Sequence, residues 1–216
     1  MKANYEIKQG TEEWHNIRYA KIGGTLSKGL FVDSDTLLLE LLAEKIEPIQ
    51  IDYDSFESKD MIRGCELEPL ARQELSKYIG VELIECGWLQ CEEIDLLGIS
   101  PDGITKCETI TAEIKCPAGK KHTSTIYHDE IPKDNIHQCL HYFTVNPKLE
   151  KHYFCSFRPE SIKPIFVKEL TRESLIDLGT KAKPNIKTIA EWVEISKEKA
   201  IKLQSELESA VEKLKF

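Results

Sequence analysis

Three side chains that can bind divalent metal and phosphate lie close together between residues 100 and 116. Asp102 occurs in a Pro-Asp-Gly turn, and Glu113 and Lys115 follow on a run with β-strand character. Because side chains alternate faces along a strand, Glu113 and Lys115 are expected to point the same way while Ile114 points into a core. Two carboxylates suit Mg²⁺ or Mn²⁺, and an ammonium can orient a water molecule or offset developing negative charge. Taken alone, this segment is equally compatible with a hairpin that carries a solvated turn and an exposed Glu-Lys pair.

The segments that must hold these residues are predicted to mix helices and strands. Residues 11–20 have the pattern of a short helix capped by Thr11, and the glycines that follow let backbone amides approach a ligand. Pro69 fits best in a first helical turn, so the regular part of a helix over 60–79 is expected to begin there. Further helices are predicted over 35–47 (largely buried), over 134–145 and from 171 onward, and a loop is predicted over 49–60. Strands are predicted over 82–91, 94–100, 110–116, 151–157 and 164–169.

Length and composition indicate one globular domain that remains in the cytoplasm. The 216 residues are 41% hydrophobic and 31% charged, which fits a single core over about 9–170 and C-terminal helices over about 171–216. No apolar run reaches the roughly 18 residues of a membrane span, and the first residues lack the apolar stretch of a signal peptide. Seven cysteines without a Cys-x-x-Cys pair are expected to be free thiols, which argues against zinc and iron-sulfur sites.

The net charge of −8 argues against a general nucleic-acid coat protein. It does not argue against an enzyme that contacts DNA locally, because surface charges more than about 8–10 Å apart are largely screened at physiological salt. Clustered acids at a metal site would also add to the negative total.

Five short blocks occur in an order that is typical of one nuclease family. They are residues 10–25, residues 63–72 (of the form G-x-x-x-E-x-x-A-R), residues 100–103, residues 113–117 and Gln138. Together they resemble the phage lambda exonuclease and viral alkaline exonuclease (YqaJ-like) branch of the PD-(D/E)xK nuclease superfamily. The resemblance implies an α/β fold with a central mixed sheet flanked by helices and a helical C-terminal addition. If it is encoded by a phage or prophage, the protein would act in the cytoplasm of a bacterial host cell.

The resemblance implies a metal site built from oxygen ligands. Asp102 and Glu113 would hold the catalytic metal, with the backbone carbonyl of Ile114 as a further ligand. Glu68 would help to place a second ion. Two Mg²⁺ ions about 3.5–4 Å apart, with Mn²⁺ as a substitute, would stabilise the attacking and leaving oxygens of an in-line displacement.

The resemblance also implies roles for residues that touch the water and the DNA end. Lys115 would orient or activate the attacking water, and Gln138 would support the site from a following helix. Arg18 would bind the terminal 5′-phosphate, with Thr25 at a nearby small-hydroxyl position. An arginine fork and a Gly-Gly-Thr turn are chemically suited to a phosphate, since both present several N–H donors.

The implied activity is a 5′→3′ exonuclease that acts on linear double-stranded DNA and leaves a 3′ single strand for recombination. A homotrimeric ring around DNA and a single-strand annealing protein as partner follow from the same resemblance. Two other functions remain open: an endonuclease of the same superfamily, and a catalytically silent scaffold that binds DNA ends. Intact carboxylates and a lysine weigh against the scaffold, because a binding module has no need for clustered like charges.

Several individual residues also permit simpler interpretations. Glu68 and Arg72 lie four apart and can form an ordinary helix pair, worth about 0.2–0.5 kcal/mol. The stem of Arg18 can simply cover apolar surface. His137 and His141, also four apart, can ligate a metal, although no third ligand is evident.

Two further surfaces have open roles. Arg63 and residues 120–122 can be solvated surface or can contact the DNA backbone. The apolar pattern over 200–214 favours packing against the body of the protein over a coiled coil, because it covers barely two heptads.

Overall fold

The computed structural model describes residues 1–32, 36–47 and 59–214, without the side chains of residues 59–61. None of the helices in this part of the chain has the length and apolar character needed to cross a membrane. The helices are α1 (Glu12–Arg18), α2 (Lys28–Phe31), α3 (Thr36–Ile46), α4 (Lys59–Ile79), α5 (Gly119–His128), α6 (Lys133–Val145) and α7 (Ile189–Leu214). The strands are β1 (Lys2–Asn4), β2 (Trp88–Gln90), β3 (Gly98–Ile99), β4 (Gly103–Ile104), β5 (Ile110–Lys115), β6 (Lys151–Phe157), β7 (Ile165–Leu170), β8 (Leu175–Asp177) and β9 (Ile186–Thr188).

The described strands form two sheets and a separate hairpin. β1, β2 and β3 make a small antiparallel sheet, and β8 pairs with β9. The larger sheet has the order β4-β5-β6-β7, in which β5 and β6 are parallel and the outer pairs are antiparallel. Parallel neighbours need a long crossover, which α5 and α6 supply. This mixed sheet with flanking helices confirms the predicted fold class.

The larger sheet is covered on both faces. Ile114 and Cys155 belong to a small apolar cluster with Ala71 and Leu75 of α4. Phe154, one residue along β6, belongs instead to the main core, which includes side chains of α3, α6 and α7. Because side chains alternate along β5 as well, the neighbours of Ile114 turn away from α4. The strand therefore directs Glu113 toward α6.

Two predictions of secondary structure were wrong. Helix α4 begins at Lys59 and runs through Pro69 without ending there. Pro69 and Cys65 are both exposed, so the carbonyl left without an N–H partner can be solvated and the cost of the proline falls. The segment from 171 to 188 is not helical: it forms the β8–β9 hairpin, and Asp177 closes the turn by accepting hydrogen bonds from the N–H groups of Gly179 (2.8 Å) and Asn185 (2.7 Å).

Other elements agree with the predictions in whole or in part. Helix α1 has Thr11 as its N-cap, and α6 lies where a helix was expected. In α3 only Leu37 and Leu41 are buried while Leu39 is 63% exposed, so that helix buries one stripe and is not largely buried. Helix α5 was not predicted. The expected loop over 49–60 lies outside the described residues except for its last two positions, which belong to α4.

The C-terminal helix packs against the body from its start at Ile189 as far as Leu207, as predicted for this part of the chain. Ala200, Leu203 and Leu207 are buried in the main core, whereas Leu214 is 42% exposed.

Candidate active site

The turn that carries Asp102 is joined to strand β5 by a side-chain hydrogen bond. β4 pairs with β5 only at Thr111 and Ala112, so the end of β5 has no strand partner on that edge. Asp102 fills the gap: its Oδ2 accepts a hydrogen bond of 2.6 Å from the N–H of Ile114. In an extended strand the N–H and C=O of one residue point to the same side, so the Ile114 carbonyl is directed toward the same edge.

Glu113 is fully buried and is held from the opposite side by helix α6. Its Oε2 accepts a hydrogen bond of 2.8 Å from the hydroxyl of Tyr142, which also lies 3.2 Å from the carbonyl oxygen of Ser100. Its Oε1 lies against the ammonium of Lys115 but receives no hydrogen bond of good geometry from the described residues. The predicted strand geometry is therefore present, with Glu113 and Lys115 in contact and Ile114 in the apolar cluster.

Tyr142 is a site residue that the sequence analysis missed. It stacks on the buried ring of His152, with ring centroids 4.3 Å apart, and this fixes the phenol. A signal existed in the sequence, because Tyr142 lies four residues after Gln138 and therefore on the same face of α6. Nothing in the local sequence indicates that this face meets Glu113.

The charged groups of the cluster shift one another's pKa values. Burial raises the pKa of Asp102 well above its ordinary value, the Glu113 carboxylate adds to this, and Lys115 opposes it. Burial alone would lower the pKa of Lys115, but the carboxylates of Glu113 and Asp102 outweigh it and the pKa is raised. In the metal-free site Lys115 is thus positively charged at neutral pH, and in that form it can orient a water or stabilise an anion.

Glu68 reaches the cluster through Arg72. The Arg72 guanidinium contacts Glu68 Oε1 and Glu85 Oε1, both at 2.6 Å, and its Nε donates to the backbone carbonyl of Asp102. Burial raises the pKa of Glu68, the charge and hydrogen bond of Arg72 oppose this, and the Glu113 carboxylate adds to the rise. The ion pair of Glu68 and Arg72 within the helix is therefore present, and Arg72 also joins α4 to the Asp102 turn.

The oxygens around Asp102 fit a hard divalent cation. Asp102, Glu113 and the Ile114 carbonyl are oxygen donors of the kind that Mg²⁺ prefers, and buried Glu113 Oε1 contacts the Lys115 ammonium but has no hydrogen bond of good geometry among the described residues. Within the described residues, no three His, Cys, Asp or Glu side chains are already grouped as ligands. Glu68 is turned toward Arg72, so a second ion there would have to compete with the guanidinium.

A small cavity connects the carboxylates with the predicted phosphate-binding residues. Its volume is about 140 Å³, and Arg18, Thr25, Asp102, Glu113, Lys115 and Gln138 all line it. This is smaller than the 300–1,000 Å³ of typical ligand pockets, and it suits a phosphate-sized group. The structure thus brings together both halves of the predicted site around one space.

Arg18 is held over an aromatic ring at the wall of this cavity. Its guanidinium carbon lies 4.1 Å from the centroid of the Trp14 ring, and the Trp14 indole donates to Ser100 Oγ at 2.7 Å. Burial lowers the pKa of Arg18, and the Glu44 carboxylate opposes this. In the described part of the chain no carboxylate lies within salt-bridge distance of Arg18, so an anion in the cavity would be its natural partner.

Gln138 lies directly on the glycine turn that follows α1. A Cβ placed on Gly24 would come within 2.7 Å of Gln138 Nε2. The turn itself is closed by Ser27, whose hydroxyl donates to the Gly24 carbonyl at 2.6 Å. Gly24 therefore leaves the room that lets Gln138 reach the cavity.

A wider groove of about 570 Å³ opens on the other side of Asp102 and Lys115, and Glu68 and Lys121 line it. Arg63, which was expected at the surface or on DNA, donates to the Cys116 carbonyl at 3.0 Å and pairs with Glu160 at 2.9 Å. Asp102 and Lys115 line both this groove and the small cavity, so the two spaces adjoin at these residues.

The histidines with open roles are structural in this fold. His122 is buried between Ser156 Oγ and the Lys163 carbonyl, both at 2.8 Å, and is not part of the surface. His141 Nε2 contacts two backbone carbonyls, and Nδ1 of His137 and of His141 has no partner among the described residues. The alternative of a metal bound by His137 and His141 therefore has no support in the geometry.

Comparisons with known proteins agree with this architecture. The family model of the YqaJ-like viral recombinase domain matches residues 13–148. No curated protein matches the chain significantly.

Solved structures of exonucleases have the same fold. LHK-Exo in complex with dAMP superposes with a TM-score of 0.77 at 23% identity, and the alkaline exonuclease LHK-Exo from Laribacter hongkongensis superposes with 0.75 at 24% identity. In both cases 95% of this chain and 96% of the other chain are covered. A phage-related exonuclease from Haemophilus somnus 129PT gives 0.56 at 13% identity, covering 93% of this chain and 99% of that chain. At these identities the likeness establishes the fold.

Proposed function

The chain belongs to the YqaJ-like viral recombinase family, and from this premise we propose that it is a Mg²⁺-dependent exonuclease that degrades linear double-stranded DNA in the 5′→3′ direction. Family membership and the alkaline exonuclease neighbours together indicate a DNA exonuclease. The single observation that carries the finer proposal is that Arg18 and the Asp102–Glu113–Lys115 cluster line one small cavity. The product would be a 3′ single strand that serves recombination.

The site residues would hold the metal and order the reactants. Asp102, Glu113 and the Ile114 carbonyl would bind Mg²⁺, which when bound supplies Lewis-acid polarisation of the scissile phosphate and a more acidic water. Lys115 would orient or activate that water and offset negative charge on the phosphate. Gln138 would fix the position of groups between the cluster and the glycine turn. Glu68 would join a second ion by leaving Arg72.

The direction of degradation would follow from the position of Arg18. The cavity that Arg18 shares with the carboxylates is small, so we assign to it the terminal phosphate beyond the scissile position. Arg18 and the backbone amides near Thr25 present donors suited to that phosphate. A 5′-phosphorylated end held there places the first phosphodiester bond near Asp102 and Glu113.

The assembly and partners are part of the same proposal. A homotrimeric ring around the duplex would make degradation processive, because an encircled DNA cannot diffuse away. A single-strand annealing protein would take over the 3′ strand.

The test is a cleavage assay on linear duplex with 5′-phosphate ends, beside relaxed closed-circular DNA, each with Mg²⁺ and with EDTA. Mg²⁺-dependent loss of the linear duplex with the circle intact is expected, and release of a 5′ label before a 3′ label establishes the direction. Cutting of the circle would instead identify an endonuclease. Binding of DNA ends without any cleavage would identify a silent scaffold.

A further inference from the structure

The buried imidazole of His141 contacts two backbone carbonyls that belong to different parts of the site. Its Nε2 lies 3.0 Å from the oxygen of Ile22 and 3.1 Å from the oxygen of Gly98. Both partners are acceptors, so the proton of the neutral ring is on Nε2 and is shared between them. The ring is fully buried, and its Nδ1 has no partner within the described residues.

Each of these carbonyls stands at the start of a segment that carries site residues. Ile22 directly precedes the glycine turn that leads to Thr25, and Gly98 begins β3, which leads to the Asp102 turn. The two segments meet in an isolated parallel bridge: Ile22 N–H donates to the Leu96 carbonyl at 2.8 Å, and Gly98 N–H donates to the Ile22 carbonyl at 3.2 Å. The bridge itself supplies two backbone hydrogen bonds, and the ion pair of Lys21 with Asp95 (2.9 Å) joins the same two segments nearer the surface.

We propose that His141 is a positioning residue that fixes the phosphate-binding turn relative to the Asp102 turn. This inference rests on the proposed function, because it assigns 5′-phosphate recognition to the first of these turns. His141 adds a donor from α6 at the point where the two segments touch. Two neighbouring residues of α6 contact other parts of the site: Gln138 lies on Gly24, and Tyr142 holds Glu113.

The chemistry of the ring favours this role over simple packing. A leucine or methionine would fill the same space without burying an unpartnered nitrogen, which is unfavourable. Burial lowers the pKa of His141 to about 4, so the ring is neutral at physiological pH and brings no buried charge to the junction. What the histidine adds over an apolar residue is the Nε2–H donor.

Two substitutions of His141 distinguish the effect of the Nε2–H donor from the effect of filling the same space. In His141→Gln the amide nitrogen reaches nearly the position of Nε2, whereas His141→Met fills the space without a donor. The readout is kcat/KM on duplexes with 5′-phosphate and with 5′-hydroxyl ends. For His141→Met the phosphate-to-hydroxyl ratio is expected to fall about 3- to 10-fold, while for His141→Gln it stays within about twofold of wild type.

A matched control is Thr144→Val on the same helix. Thr144 Oγ1 makes a buried hydrogen bond of 2.8 Å to Ser196 of α7, away from the cavity, so its loss should lower stability and leave the ratio unchanged. A wild-type ratio in His141→Met, or an equal loss in His141→Gln, would overturn the proposal.

A second readout does not depend on activity. Amide hydrogen exchange at Ile22 and Gly98 should be faster in His141→Met than in wild type and close to wild type in His141→Gln. If the wild-type protein shows no preference for phosphorylated ends, the proposed function fails, and the exchange rates still decide whether His141 holds the junction. Unchanged amide exchange at Ile22 and Gly98 in His141→Met would by itself overturn the proposed role of His141.

Discussion

Tyr142 donates a hydrogen bond of 2.8 Å to Glu113 Oε2, and no part of Glu113 is exposed to solvent. The phenol and the carboxylate come from α6 and β5, and the stacked ring of His152 supports the phenol from behind. With Oε2 occupied, the other oxygen of Glu113 is left facing Lys115 and the edge proposed to bind metal. The orientation of the principal buried carboxylate thus depends on a neutral residue outside the recognised nuclease motif.

Replacement of Tyr142 by phenylalanine should therefore weaken metal-dependent cleavage. A hydrogen bond to a charged group is worth about 1.5–3 kcal/mol, so a loss of roughly 10- to 100-fold in kcat/KM is expected. The Mg²⁺ concentration for half-maximal activity should rise, because the carboxylate is no longer held in one orientation. Steady-state rates across a Mg²⁺ titration measure both effects.

Tyr153→Phe is the matched control for that substitution. The Tyr153 hydroxyl also donates to a carboxylate, Glu169, at 2.6 Å, but Glu169 is exposed and does not line the cavities around Asp102. Its removal should leave the Mg²⁺ dependence unchanged. Equal effects of the two substitutions would show that Tyr142 contributes only to stability.

Asp102→Asn should stabilise the metal-free fold at neutral pH while it abolishes cleavage. Burial and the Glu113 charge raise the pKa of Asp102 above its ordinary value, so its carboxylate ionises in the unfolded chain before it does so in the folded protein. As the pH rises from the ordinary value to the raised one, the free energy of unfolding falls. Asparagine keeps an acceptor for the Ile114 N–H but cannot ionise, so the free energy of unfolding of the variant does not fall in this way as the pH rises.

Thermal melts in EDTA at several pH values measure the effect. The gain in Tm for Asp102→Asn should be a few degrees near pH 7–8, with about 2–4 °C expected per kcal/mol in a chain of this size, and should vanish near pH 3. Added Mg²⁺ should raise the Tm of the wild type only, because ligand binding to the native state stabilises it. A lower Tm of the variant at neutral pH in EDTA would contradict the charge argument.

Local sequence was sufficient for the part of the site that lies on one turn and one strand. Asp102, Glu113 and Lys115 are close in the chain, and the alternation of strand side chains places the last two on one face. The contributions of Arg18 and Gln138 came only from the resemblance, since their approach to this strand depends on how α1 and α6 pack. Tyr142 was missed for the same reason.

The hairpin formed by β8 and β9 shows a second limit of local sequence. Residues 171–188 were predicted to be helical, yet Trp192 of α7 donates from its indole to the Ile176 carbonyl at 3.0 Å and ties the hairpin to the helix. Short strands of this kind are stabilised by what they pack against and not by their own propensity. Pro69 in α4 is a similar case, in which an exposed position lowers the cost that local rules assign to a proline inside a helix.

Gly24→Ala should reduce activity with little effect on stability. The added Cβ would come within 2.7 Å of Gln138 Nε2 and 2.9 Å of its Cδ, the far end of a side chain that can rotate away. Displacement of Gln138 should lower kcat about 3- to 10-fold, as expected when one polar contact near the reacting groups is lost.

Gly64→Ala in α4 is the matched control. A Cβ added at Gly64 would meet nothing within 4 Å, so this substitution should stabilise the protein by about 0.5–1 kcal/mol. Denaturant melts and rates for both variants separate the two cases, and full activity of Gly24→Ala would remove Gln138 from the site.

Arg18→Ala should remove the preference for 5′-phosphorylated ends while the metal site remains intact. The guanidinium rests on Trp14 and lines the small cavity, and neither contact involves the carboxylates that would bind Mg²⁺. A lost charge-assisted contact corresponds to a fall of roughly 10- to 100-fold in kcat/KM on phosphorylated ends, with a much smaller change on hydroxyl ends. Lys115→Ala provides the contrast: it should abolish cleavage of both substrates and retain end binding, because in the proposed mechanism the ammonium would act on the water and not on the terminal phosphate. Rates on the two substrates, together with equilibrium binding of DNA ends, measure both variants. If wild type and Arg18→Ala degrade phosphorylated and hydroxyl ends at equal rates, the arginine has no part in recognising the end.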